Sequence, residues 1–169
     1  MTPEIDEAER AARAAHLKER IYLTFASLAV VITLSVHGHV TPGGAATTLI
    51  VTVLGTLLAV FTADLVSHLV VHGRLFTQPE LRHAVGTSFG ALSTVALPFI
   101  FLGLAALDVW DTDTALLAGA IALVVSLVVI GWVAVRRIPL TWFQRLVALG
   151  AEAVLGLAVI GLQVLAHGG

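Results

Sequence analysis

Five apolar runs take up most of this chain: Ile21–His37, Ala45–Val71, His83–Leu107, Thr114–Val135 and Trp142–Ala166. Each is close to or above the roughly 20 residues that carry a helix across about 30 Å of hydrocarbon. A soluble domain has about a quarter of its residues charged, whereas here the share is 12% and the mean hydropathy is +0.99. Such a chain cannot cover a water-facing surface. The expected fold is all-α: a polytopic membrane protein, a bundle of five transmembrane helices with a short N-terminal cytoplasmic helix. The lead-in covers residues 1–20 and the transmembrane domain 21–169, with spans at about 21–39, 45–72, 82–108, 113–135 and 142–167.

The breaks between runs are short and carry turn chemistry. They are Thr41-Pro42-Gly43-Gly44, Gly73 to Glu80, Asp111-Thr112-Asp113, and Arg136 to Thr141. Thr77-x-x-Glu80 and Thr141-x-x-Gln144 have the spacing of a capping box, and Asp113 is placed to cap the fourth span. Connections this short make neighbouring spans antiparallel. Thr2-Pro3-Glu4 reads as a helix start. Asp6 with Arg10, and Glu9 with Arg13, are acid-before-base pairs one helical turn apart that suit a solvated lead-in. The first apolar run follows this charged segment with no small-residue cleavage site, so it reads as a retained span.

Orientation comes from the basic residues. Arg10, Arg13, Lys18 and Arg20 precede the first span, Arg74 and Arg82 bracket the second break, and Arg136, Arg137 and Arg145 bracket the fourth. All lie on one side, which the positive-inside rule assigns to the cytoplasm. The N-terminus is therefore expected inside and the C-terminus outside, with Trp110 and Trp142 at the interfaces. The heavy use of Ala, Leu, Val and Gly, the absence of Asn and the single lysine fit a bacterial chain, hence a bacterial inner membrane.

The same composition excludes several functions. The net charge of −2 leaves no basic face for nucleic acid. With no cysteine there is no disulfide framework, thiolate metal site or thiol nucleophile. No Gly-rich phosphate loop or GxSxG elbow occurs. Ser67 and His68 are sequence neighbours, so they point to different sides of a helix and do not form a nucleophile–base pair. An enzyme is not expected, nor a resident organic cofactor.

Ionisable groups inside hydrocarbon are costly and usually face a protein interior or a wet cavity. Asp64 and Glu152 are the clear cases. Asp64, His68 and His72 fall on one face of the second span, and Glu152 and Gln163 return to nearly one face of the fifth. Asp64 precedes Arg74 by ten residues and Glu152 follows Arg145 by seven. At about 1.5 Å per residue both carboxylates lie roughly 10–15 Å from the basic band, so one bundle interior can bring them together. Oxygen and imidazole donors suit a divalent metal such as zinc, manganese or iron, held by Asp64, His68 and Glu152. The same groups, with His72 and Gln163, suit a proton or ion pathway. The competing reading is that these polar groups only fasten the bundle. His37, His39 and His167 lie at the outer ends of their spans, where interfacial polar caps are the ordinary reading.

Gly86-x-x-x-Gly90 on the third span permits close backbone approach, within the chain or in a homo-oligomer. Pro98 is expected to kink that span. The fourth span is almost wholly aliphatic and is the expected lipid-facing or oligomer-facing helix.

Arg20-Ile21-Tyr22, the Gly55…Ala63-Asp64…His68 stretch and the closing Gly156-Leu157…Gln163-Val164-Leu165-Ala166-His167 resemble a set of small five-helix bacterial integral membrane proteins of unknown function. The chain departs from that pattern with Leu23 after Tyr22 and with Glu152 in place of a neutral polar residue. The resemblance implies the fold and no activity. The expectation from the residues themselves is a small cation- or proton-linked transporter or channel, with a non-transporting scaffold or accessory subunit as the alternative.

Overall fold

The second apolar run begins where Thr41 accepts a hydrogen bond on Oγ1 from the Gly44 N–H at 3.1 Å and Pro42 supplies a preset φ in the first turn. It ends at Gly73, whose φ of 65° no β-carbon has to tolerate and whose N–H returns to the Leu69 carbonyl at 2.9 Å. These signals delimit a helix of 31 residues. The computed structural model describes residues 3–136 with Gly150 and Val154, apart from the side chains of residues 3–12, 37, 83, 135 and 136. The expected fifth span, with Trp142, Arg145, Glu152, Gln163 and His167, lies outside the described residues.

The described residues form α1 (Pro3–His37), α2 (Pro42–His72), α3 (Gln78–Ala91), a 3-10 turn over Leu92–Val95, α4 (Ala96–Ala106) and α5 (Thr112–Arg136). Four stretches are long and apolar enough to cross a membrane: Arg13–Val36, Pro42–His72, Gln78–Ala106 and Thr112–Ala134. The lead-in and the first span are one continuous helix, and Lys18, Glu19 and Arg20 fall inside its span-length stretch.

α1 packs against α2, α3 and α5, and α4 bridges α2 and α5. Leu23, Leu28 and Val31 of α1 interlock with Leu49 and Val53 of α2, Leu102 of α4, and Leu116 and Leu123 of α5. Several helix hydroxyls return to the carbonyl one turn back, as Thr24 does to Arg20 at 2.6 Å and Thr33 to Ala29 at 2.8 Å, so these add no unpaired donor to an apolar setting. The outer surface is apolar as well: Leu58 is 67% and Val70 80% exposed. A water-soluble monomer rarely shows apolar surface so continuous.

Three local expectations change form. The cap of α5 is Asp111, not Asp113: its two carboxylate oxygens accept from the Thr114 N–H and hydroxyl, both at 2.7 Å. The Pro98 disturbance includes a 3-10 turn one turn before the proline. Pro98 offers no N–H to the carbonyl four residues back, and the turn tightens over Leu92–Val95, with Ser93 and Thr94 hydroxyls donating to the Gly90 and Ala91 carbonyls at 2.9 and 2.8 Å. Third, among the described residues the aliphatic α5 is more covered than α2. It packs along both α1 and α4, where Gly119 takes Pro98 against its backbone. In α2 only 17% of the most apolar window is buried, against 28% in α5. α2 turns outward a face of small residues, Gly55, Ala59, Ala63 and Ser67, flanked by Leu58 and Val66.

Candidate functional site

Lys18, Glu19 and Arg20 are consecutive on α1, so about 100° of helix rotation separates each from the next. They consequently reach three different surroundings. Lys18 turns to α2, and its ammonium donates to Asp64 Oδ1 at 2.9 Å. Glu19 is only 3% exposed and lies within electrostatic reach of both Asp64 and Lys18 and beside Ser88 of α3. Arg20 reaches along α3, its Nη2 donating to Ser93 Oγ at 3.4 Å. One turn earlier on α1, the His16 ring lies against Gly90, where a β-carbon would come within 3.2 Å of His16 Cε1. Gly90 thus serves close packing of α1 on α3 within the chain, while nothing lies within 4 Å of a β-carbon at Gly86.

The Lys18–Asp64 pair is partly open, with 43% and 29% of the two side chains exposed. Each charge is neutralised by the other. Beneath the pair several buried polar atoms have no hydrogen-bond partner: Glu19 Oε2, Arg20 Nε and Ser88 Oγ. Buried polar groups are nearly always satisfied by protein or ordered water, and these three unpartnered atoms gather where α1 meets its neighbours.

A second polar group lies along α2 towards its Gly73 end. His68 and His72 stack with ring centroids 4.3 Å apart, and Phe76 covers His68 at 4.4 Å. His72 Nδ1 lies 3.2 Å from the His68 carbonyl. His68 Nε2 is buried without a hydrogen-bond partner, with Glu80 Oε2 at 3.8 Å. Glu80 is otherwise committed. It takes a two-pronged bond from Arg74 at 2.9 and 2.8 Å, and its Oε2 accepts from the Thr77 N–H and hydroxyl at 2.7 Å. This realises the capping chemistry expected of Thr77-x-x-Glu80 and adds an ion pair across the α2–α3 turn.

The structure therefore places Asp64, His68 and His72 on one side of α2, as their spacing requires, but gives Asp64 a lysine and His68 an aromatic stack. Glu152 and Gln163 lie outside the described residues. Among the described residues no three His, Cys, Asp or Glu side chains gather as a metal centre would need, so a metal on Asp64 and His68 would draw its third protein ligand from elsewhere. Sequence reasoning assigned Lys18 and Arg20 to orientation alone and Glu19 to a solvated lead-in. Hydropathy averaging hid them, since three charges beside a long apolar run read as its border. The length of α2 was the available clue: its apolar run is too long for Asp64 to be far from the level of the basic band.

Four span-length apolar helices, joined by short turns and wrapped in exposed aliphatic side chains, fit the class of multi-pass membrane proteins. No protein-family model, curated protein or solved structure matches the chain.

Proposed function

We propose that this is a five-span inner-membrane protein, N-terminus in the cytoplasm, that passes protons or a small cation through a polar junction of α1, α2 and α3. The observation that carries the reading is the Lys18–Asp64 ion pair set directly beside the buried Glu19 carboxyl. Asp64 stands about 33 Å along α2 from Pro42, which at 1.5 Å per residue is about one hydrocarbon thickness. The junction then lies at the inner edge of the hydrocarbon, where water from the cytoplasm meets it. His68 and His72 continue from Asp64 along α2 towards Arg74, and an imidazole can both donate and accept a hydrogen bond. They form the cytoplasmic approach. Glu152 and Gln163 of the fifth span are assigned to the path's remaining length, and a divalent ion on Asp64, His68 and Glu152 is the alternative cargo.

The purified chain in liposomes with an internal pH-sensitive dye tests this. Imposed ion or proton gradients should produce a flux that Asp64→Asn abolishes while the variant keeps its helical content and its elution volume. Absence of flux in the parent under every gradient sinks the transport reading.

One observation favours the second reading, an accessory or scaffold protein. Lys18 and Asp64 satisfy one another, as a pair that merely fastens α1 to α2 would. On that reading Asp64→Asn loosens the bundle, and the parent shows no flux.

A further inference from the structure

Glu19 is the buried titratable group that the pair of Lys18 and Asp64 leaves unaccounted for. It is 3% exposed and its Oε2 accepts no hydrogen bond. Of the neighbouring cations, Lys18 is paired with Asp64 at 2.9 Å, and Arg20 reaches Ser93 through Nη2 at 3.4 Å. From α2 the facing charge is Asp64, which repels a second carboxylate. From α3 the facing group is the buried Ser88 hydroxyl, which is turned to the Glu19 carboxyl. His16 is turned to Gly90.

An ionised carboxylate with no ion pair and no donor on one oxygen is the costliest state for such a place. A carboxylic acid is neutral, leaves Lys18 undisputed to Asp64, and gains an O–H to donate to the Ser88 oxygen. Two carboxylates beside one ammonium settle most readily with one charge and one proton. We infer that Glu19 is the proton-binding group of the junction: its buried carboxyl takes up a proton and turns the O–H to Ser88, and Lys18–Asp64 is the fixed counter-pair beside it. The inference rests on the reading of this junction as a proton-handling site and adds which group holds the proton. When the acid gives its proton to water, the carboxylate left behind competes with Asp64 for the Lys18 ammonium. Loading and unloading of Glu19 are in this way coupled to the contact between α1 and α2.

Infrared spectroscopy of the full chain in lipid, compared in water and heavy water over a series of pH values, tests the assignment. The expected result is a carboxylic-acid carbonyl band that shifts on deuteration, disappears in Glu19→Gln and persists in Asp64→Asn. Ser88→Ala, which keeps the acid but removes its acceptor, should move the band to higher frequency. No acid band that Glu19→Gln removes at any pH where the chain stays folded, or a band kept in Glu19→Gln and lost in Asp64→Asn, overturns the inference. If Glu19→Gln does not fold, the Ser88→Ala shift decides, and an unmoved band counts against Glu19. The Glu19 band in a protein without liposome flux retains the proton site and removes transport; flux without the band does the reverse.

Discussion

Lys18 of α1 and Asp64 of α2 meet at 2.9 Å across 46 positions of sequence, and the contact fixes how far α1 is slid along α2. Apolar helices in a bilayer gain little from burying one greasy face rather than another. A single ion pair is then a strong discriminator of axial register. It also sets which α1 residues stand beside α3, and so brings Glu19 to Ser88 and His16 to Gly90.

Breaking that pair from either side should cost about 1 kcal/mol, the ordinary scale for a partly exposed pair. Lys18→Met leaves Asp64 uncompensated, and Asp64→Asn leaves the ammonium so. The double variant Lys18→Met/Asp64→Asn should lose less than the sum of the two single changes. Thermal unfolding in detergent, taken through all four proteins of the cycle, reads the coupling. Strict additivity would mean that the two side chains do not meet.

Substitution at Gly90 and Gly86 should separate packing within the chain from association between chains. Gly90→Leu drives a side chain into His16 and should cost about 1–3 kcal/mol, the range for overpacking. Gly90→Ala should be milder, because the imidazole can swing aside. Gly86→Ala meets open space and should leave the melting temperature unchanged. If Gly86→Leu alters the mass seen by light scattering, that face lies between chains.

At the α4–α5 contact, a β-carbon on Gly119 would sit 3.6 Å from Pro98 Cα, an ordinary contact distance. Gly119→Ala should therefore be accepted with little change. Gly119→Leu has backbone in its way rather than a movable side-chain end, and should destabilise by about 1–3 kcal/mol. Equal melting temperatures for the two variants would show that α4 and α5 are not packed this closely.

The cap at Asp111 predicts a pH dependence with a definite sign. The Thr114 N–H and hydroxyl hold its carboxyl below the usual range. A carboxyl lowered in the folded state stabilises fully above its unfolded pKa, about 3.9. That contribution fades as pH falls through the lower folded value. Asp111→Asn keeps an acceptor for the N–H but cannot titrate, so its stability profile below about pH 4 should be flatter than the parent's. Matching acid limbs in the two proteins would rule out this cap as a titrating element.

What the sequence determined by itself is local. Apolar run length delimits the helices, because hydrocarbon demands a fixed length and internally bonded backbone. Thr41, Gly73, Thr77 and Glu80 mark their ends because caps act within a few residues of where they stand. The helical repeat likewise puts Asp64, His68 and His72 on one side of α2 with no knowledge of neighbours. Asp111 against Asp113 was decided by where the first helical turn begins, a choice of two residues that composition leaves open. Only tertiary structure decided which cation Asp64 receives, that Glu19 goes into the interior, that Gly90 serves His16, and that α2 is barer than α5 among the described residues. Each depends on the rotation and sliding of one helix against another. An apolar surface of Leu, Val and Ala looks much alike at every rotation, so those two degrees of freedom leave no periodic trace in sequence. They are set by a few polar contacts between positions far apart in the chain.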